Sequence, residues 1–500
     1  MPERLSEIEA RVEQTLRTAG LVAGPLLALA VYAVNPGGHP PQARRLLAIL
    51  ALTVVWWMTE ALPLAATALL TTALSIATAV APARQVLAPY ADPVIFLFMG
   101  SFLLGEAFHV YGLDERVARG LLGLRAFSRS PRGVLAGFGT ASAAISSMLS
   151  NTATAALLTP VASGAVAPRA GTTAGPPTRF ESAVLLMVAY GASIGGLATL
   201  IGTPPNLLTA GMIERLGGVR VTFADWLVFG IPVSITLLVV ALLIMRVTLA
   251  RSADAAAGGP ASALGEPAAD VERRRGARWT ALALLLALVL WTAPAVAAGI
   301  WGRGSAAARA LDAHLPEAGV ALLCGSLLFV APIRLRPRRF ALTWDHAQGI
   351  NWGVLMLFGG GLSLGSLAET TGLARWAGEG VVRSGLAASP GGLLFLAIAA
   401  GLALTEVASN TAAATLLVPV VIAAAKQAGF DPVAPALGCG MACSCAFVFP
   451  VSTPPNAIVF GTGRVPLTRM IRAGVLLDLA CLAVLWVAVT LLRPLLPHAG

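Results

Sequence analysis

The residues through which this chain could do chemistry are Ser, Thr and Asn, and they come in duplicate. Residues 150–161 read SNTATAALLTPV and residues 409–420 read SNTAAATLLVPV, identical at nine of twelve positions with an offset of 259. A second pair follows them: Thr203-Pro204-Pro205-Asn206 and Thr453-Pro454-Pro455-Asn456. All four stretches lie in very apolar surroundings, where each polar group needs a partner or a ligand. Proline removes a backbone donor, clashes with the preceding turn and turns the residue before it away from helix. Each TPPN motif therefore interrupts its helix, helped by Gly202 and Ser452 just ahead of it. A break exposes carbonyls on one side and helix N-termini on the other. Carbonyls with Ser, Thr and Asn oxygens suit a small hard cation, while free N–H groups at a helix start suit an anion.

Charge sharpens this reading. No Lys or Arg occurs in 133–168, 180–213, 384–425 or 432–463, and the acids there are Glu181 and Glu406. A site of neutral donors holds an anion when bound cations and helix dipoles offset its charge, which is a physical reason for cation coupling. Ser, Thr and Asn also glue membrane helices together, and a single SNT would read that way. Paired SNT and paired TPPN in register read as a site. Glu406 stands where the first copy has Ser147, so with no twin it reads equally as a functional carboxylate or a structural hydrogen-bonding group. His109 and Glu106 read as helix-end polar residues. Cys439, Cys443 and Cys445 have no histidine nearby and read as small packing residues, not metal ligands.

The elements that must position these groups are membrane helices. Over 500 residues the chain is 57% hydrophobic and 12% charged, with mean hydropathy +0.80. Soluble domains carry roughly twice that charged fraction. The net charge of +10 comes from arginines in short loops, which points to topology and not to nucleic acid. Residues 1–19 have mixed charge and an amphipathic pattern, predicting a surface helix before the first span. Eleven spans are predicted, at 20–34, 45–60, 64–81, 93–110, 181–212, 226–250, 278–300, 317–333, 352–371, 432–462 and 470–492.

Two further apolar stretches, 132–165 and 389–425, carry their SNT motif near the middle. A turn there leaves arms of about 15–17 residues, or about 25 Å of helix. That predicts re-entrant hairpins with the polar motif at the tip, which are tolerated only beside protein or a watery cavity. The repeat extends further: Leu97-Phe98, Gly100, Leu104-Gly105 and Gly112-Leu113 recur 260 residues later as Leu357-Phe358, Gly360, Leu364-Gly365 and Gly372-Leu373. Five spans separate the starts of the two copies, and an odd number predicts inverted repeats. With the N-terminus cytoplasmic and the C-terminus outside, 23 of the 34 Lys and Arg fall on the cytoplasmic side. The expected halves are 20–250, with the hairpin at 132–165 and the broken helix at 181–212, and 278–500, with the hairpin at 389–425 and the broken helix at 432–462. A Gly/Ala/Pro-rich cytoplasmic linker at 251–277 joins them.

SNT at 150–152 and 409–411, GTPPN at 202–206, STPPN at 452–456 and the LFxGxxxxG pattern at 97–105 and 357–365 resemble the divalent anion:sodium symporter family, which includes sodium–dicarboxylate and sodium–citrate carriers. The likeness runs from about residue 20 to 492. It implies an all-α polytopic membrane protein of about eleven spans plus two hairpins, with a scaffold part that forms a homodimer and a transport part that moves as an elevator. Sodium ligands carried over from the family fall on Ser146, Ser150, Asn151 and Gly202, and on Thr405, Ala408, Asn410 and Ser452. Substrate contacts fall on Asn151, Thr152, Thr203, Ser409, Asn410, Thr411, Thr453 and Pro454. The expectation is sodium-coupled uptake, across the cell's inner membrane and among its lipids, of a small dianion, favouring a C4 dicarboxylate such as succinate, with no organic cofactor. An anion exchanger, or a sulfate or citrate carrier of the same fold, is the alternative. A membrane-embedded enzyme is disfavoured, because the apolar segments hold so few His, Asp and Glu.

Overall fold

The computed structural model describes residues 2–166, 176–248, 271–302, 304–385 and 389–495, with residues 2–13 and Ser128 described by backbone alone. Regular structure there is helical apart from one antiparallel ribbon, Pro332–Leu335 with Arg338–Phe340. Seven of the described helices are long and apolar enough to cross a membrane. Several predicted spans are shorter as helices: 64–81 ends at Ala77 and 317–333 ends at Leu327. No break marks the boundary expected at residue 19, since Pro2–Val34 is one helix. Of the expected linker, the stretch up to residue 270 lies outside the described residues, and 271–277 instead opens the helix Val271–Trp301. The charges there explain the early start. Glu272 sits in the first turn, where a carboxylate complements the helix dipole, and pairs with Arg334 (3.2 Å) and Arg339 (3.3 Å), while Arg273 reaches Glu115 at 3.1 Å.

The sequence repeat is also a repeat of local structure. Pro93–Val110 and Trp352–Thr370 are equivalent helices, capped at their starts by Asp92 and Asn351. Phe98 and Phe358, the same position in each copy, stack on one another with centroids 4.2 Å apart and planes 29° apart. A residue packing against its own equivalent is what a two-fold axis between the copies would produce. Gly100 and Gly360 let other elements close in: a Cβ would stand 2.3 Å from the Ala321 backbone carbon in the first case and 2.7 Å from the Ala68 side chain in the second. Gly112 (φ 62°) and Gly372 (φ 83°) both take the left-handed conformation that starts a short helix, Leu113–Leu122 and Leu373–Arg383. Those two short helices were not anticipated. Leu113, Val117 and Leu121 on one face pack on the core, and Arg116 and Arg119 share the helix with them.

Each SNT motif joins two helices. Pro131–Ser146 and Asn151–Val166 meet through Ser147–Ser150, and Pro390–Thr405 and Asn410–Gln427 meet through Glu406–Ser409. The first helix of each pair starts alike, with Pro at its first position and a serine cap, Ser130 to the Gly133 N–H and Ser389 to the Gly392 N–H. Asn410–Gln427 runs to 18 residues, longer than expected, and its length alone allows a crossing.

Each TPPN motif ends a break. Arg179–Gly196 stops, and Pro204–Met212 begins after seven non-helical residues. Val433–Ala442 stops, and Pro454–Gly461 begins after eleven residues that include one short 3₁₀ turn. The final Asn of the motif closes the break from inside. Asn206 Nδ2 donates to the carbonyls of Gly196 (2.9 Å) and Thr199 (2.8 Å), and Asn456 Nδ2 donates to those of Ala446 and Phe449 (both 3.1 Å), ten and seven residues back in both copies. The Gly202 and Ser452 N–H groups reach the same Thr199 and Phe449 carbonyls at 3.3 Å. Both asparagines are fully buried. The copies also interlock: Pro454–Gly461 packs on Asn151–Val166 and Arg179–Gly196, while Pro204–Met212 packs on Asn410–Gln427 and Val433–Ala442.

Asn206→Ala or Asn456→Ala should strip a break of its clamp, at a cost of roughly 1–3 kcal/mol. The readout is a lower midpoint of thermal unfolding for the purified protein in detergent. Gly195→Ala would press a Cβ to 2.2 Å from the Ala143 carbonyl oxygen and should also lower that midpoint, whereas Gly120→Ala, with nothing within 4 Å, should leave it in place.

Candidate functional site

The first tip is held against its break by small residues and short hydrogen bonds. The buried Ser146 hydroxyl donates to Asn151 Oδ1 at 2.7 Å. The Thr199 hydroxyl, from the break, donates to the Ser147 carbonyl at 2.5 Å. Asn151 Oδ1 lies directly over Gly196, where a Cβ would come within 2.6 Å of it and within 3.3 Å of Thr203 Cβ. A Cβ on Gly202 would come within 2.6 Å of the Gly196 carbonyl oxygen. Ser146, Asn151, Gly202 and Thr203 are therefore gathered around Gly196, which must be glycine for the chain to approach so closely.

The second tip repeats the arrangement with different partners. Thr405 Oγ1 stands 2.8 Å from Asn410 Oδ1 and 2.6 Å from the Cys443 carbonyl. One hydroxyl carries one proton, which the two acceptors share, so three oxygens meet here around a single proton. Such an oxygen-rich spot matches the ligand preference of a small hard cation. Ser452, from the break, donates its hydroxyl to Glu406, with Oε2 at 2.6 Å and the carbonyl at 3.0 Å. Ala408 is buried within the turn, its N–H bonded to the Leu404 carbonyl.

Other residues singled out from the sequence sit differently. Ser150 and Ser409 are helix caps: their hydroxyl oxygens accept the N–H of Ala153 and Ala412, each at 3.2 Å. Thr453 is buried and its hydroxyl accepts the Asn456 N–H at 3.4 Å, whereas the equivalent Thr203 makes no side-chain cap bond. Thr152 is exposed and Thr411 half-buried, each in the first turn of a helix, where backbone N–H groups have no intrahelical partner and attract anions, whereas the exposed Pro454 opens its helix without an N–H to offer. Gly196, Thr199 and the Cys443 carbonyl were missed. Thr199 and Cys443 fall between the two sequence motifs, and a backbone oxygen leaves no signature in residue type.

Electrostatically the two acids of these segments separate. Glu181 binds Arg464, with both carboxylate oxygens 2.7 Å from one guanidinium nitrogen, and completes a capping box with Thr178, so it ties the start of the first broken helix to the segment after the second. Glu406 has no such cation among the described ion pairs and is held by neutral donors.

Residues 18–496 match the family described as the sodium:sulfate symporter transmembrane region. Two relatives named sodium-dependent dicarboxylate transporter SdcS each align over 484 residues, covering 95% of this chain and 91% of theirs. The one from Staphylococcus saprophyticus is 31% identical and the one from Staphylococcus aureus strain USA300 is 32% identical. Among solved structures, the fold resembles the YdaH transporter of Alcanivorax borkumensis (TM-score 0.57, 18% identity, covering 82% of this chain and 87% of that one). It also resembles MtrF of Neisseria gonorrhoeae (TM-score 0.58, 14% identity, covering 86% of each). With the match spanning nearly its whole length and the duplicated motifs in equivalent structural settings, the chain belongs to the divalent anion:sodium symporter family and is a multi-pass membrane transporter, not an enzyme.

Proposed function

We propose that this protein is a sodium-coupled importer of a small divalent anion, favouring a C4 dicarboxylate such as succinate. The observation that carries the reading is the pair of tips, each presenting Asn and hydroxyl oxygens against a clamped backbone break, with no basic residue in any of the four segments. Sodium at Ser146, Ser150, Asn151 and Gly202, and at Thr405, Ala408, Asn410 and Ser452, supplies the positive charge that the protein omits. The helix starts at Asn151–Thr152, Thr203, Ser409–Thr411 and Thr453 then offer N–H and side-chain donors to the two carboxylates, and Pro454, which has no donor, lines the site by shape alone. The anion binds well only after the cations, which is the coupling. The dicarboxylate assignment is supported by the name carried by the relatives from Staphylococcus.

Movement and topology complete the proposal. The copies are inverted repeats, the SNT helix pairs are re-entrant hairpins, and the chain makes eleven crossings with its N-terminus in the cytoplasm. A homodimeric scaffold lets the remaining part carry both ions and anion across as an elevator. The stacking of Phe98 on Phe358 and the mutual packing of each copy's hairpin on the other's broken helix support that symmetry.

In proteoliposomes, an inward sodium gradient should drive succinate accumulation, and uptake indifferent to sodium would refute the coupling. Succinate counterflow without sodium would assign an exchanger, and stronger competition by sulfate than by succinate would assign a sulfate carrier. Asn151→Ala and Asn410→Ala should each lower initial uptake by roughly 10- to 100-fold, the cost of one charge-assisted bond, in protein that still elutes as a single folded species. Normal uptake in either variant would remove the tips from the site.

A further inference from the structure

Glu406 is a buried carboxylate at the second tip for which the transport scheme has so far found no use. Its side chain turns into the second break. Oε1 accepts the N–H groups of Phe447 (2.7 Å) and Val448 (3.1 Å), and Oε2 accepts the Phe449 N–H (3.3 Å) and the Ser452 hydroxyl (2.6 Å). Three successive backbone N–H groups aimed at one carboxylate form an anion nest, a stronger latch than neutral acceptors would give. The first tip has nothing comparable. Its equivalent residue, Ser147, bonds by its hydroxyl to Ala144 in its own helix, and a single Thr199–Ser147 bond joins that tip to its break.

The latch has two consequences for a neighbouring cation. Both acceptors of the Ser452 hydroxyl belong to Glu406, so its one proton is committed there and its lone pairs are left for something else. A carboxylate also sits one residue from Thr405, whose single hydroxyl proton is shared between the Asn410 and Cys443 oxygens. Behind Glu406, Asp478 of the helix Leu467–Leu492 lies near enough for the two carboxyl groups to act on one another, with Tyr190 and Cys445 close by, and its Oδ1 is buried with no hydrogen-bond partner among the described residues. The same helix is pressed onto this loop at Gly474, where a Cβ would stand 2.2 Å from the Phe447 carbonyl oxygen. The loop is thus held from both sides.

We propose that Glu406 is the positioning residue of the second cation site: it latches tip to break, turns the Ser452 oxygen toward the ion, and makes sodium bind this tip more tightly than the first. The proposal rests on the reading of the tips as sodium sites. The test uses the purified full-length protein and four forms: wild type, Glu406→Gln, Ser452→Ala and the double variant. Two quantities are measured at constant ionic strength with choline as the replacement cation. One is the sodium concentration that half-saturates the rise in thermal unfolding midpoint, and the other is the sodium and succinate dependence of uptake in proteoliposomes. Each single variant should raise the sodium half-saturation by about tenfold while moving the succinate KM at saturating sodium by no more than about twofold, and the double variant should be no worse than either. An unchanged sodium half-saturation in Glu406→Gln, or fully additive effects in the double variant, would overturn the proposal. Should Glu406→Gln fail to fold, an unchanged sodium half-saturation in Ser452→Ala would overturn it alone. A wild type whose unfolding and uptake ignore sodium would instead sink the underlying reading of the tips, and the proposal with it.

Discussion

Backbone that leaves its helix deep inside an apolar protein has nowhere to send its N–H and C=O groups unless the chain supplies the partners itself. Here one asparagine at each break takes up two of the freed carbonyls, and at the second break Glu406 takes three of the N–H groups. Asn206 and Asn456 are buried, and each reaches two carbonyls from its own loop with the same spacing. The proline pair just before each asparagine opens the helix, and the asparagine determines the shape of the opening. With the loop fixed, Gly202 and Thr203 in one copy, and Ser452 and Thr453 in the other, are presented to the tip opposite. The clamps are thus the condition on which the tips depend.

The two copies follow one plan up to the point where chemistry begins. The hairpin caps, the left-handed glycines and the asparagine clamps recur in both copies, although the second break is four residues longer than the first. The tips do not. Ser147 keeps its side chain within its helix, whereas Glu406 reaches across to three backbone N–H groups and a hydroxyl. A duplicated scaffold thereby carries two unequal tips, one joined to its break loosely and one firmly.

The absence of Lys and Arg from the four motif-bearing segments has a cost and a use. Neutral donors hold a dianion weakly in a low-dielectric setting unless positive charge arrives from elsewhere. A fixed arginine would hold the anion whether or not a cation had bound. On the proposed reading, oxygen-lined tips would make its binding conditional, and conditional binding is what coupling requires. The salt bridge between Glu181 and Arg464 lies at the start of the first broken helix, so the acid nearest that end is already neutralised and joins the two halves instead.

How much was legible beforehand follows from what kind of group carries each feature. Residue type and spacing in the sequence established the duplication, the breaks at the prolines, the turns at SNT, and the crowding of hydroxyl and amide groups into uncharged segments, because proline geometry and apolar periodicity are local properties. The short helices after Gly112 and Gly372 escaped notice, since ten or eleven amphipathic residues carry a weaker periodic signal than a span, and so did the early start of Val271–Trp301, which depends on Glu272 finding Arg334 and Arg339. Only the tertiary structure decided that Ser150 and Ser409 cap their own helices, that Asn206 and Asn456 are clamps, and that Glu406 faces the second break. Each of those outcomes turns on which backbone carbonyl or N–H lies within reach, and every residue has both, so no pattern of side chains could have announced them.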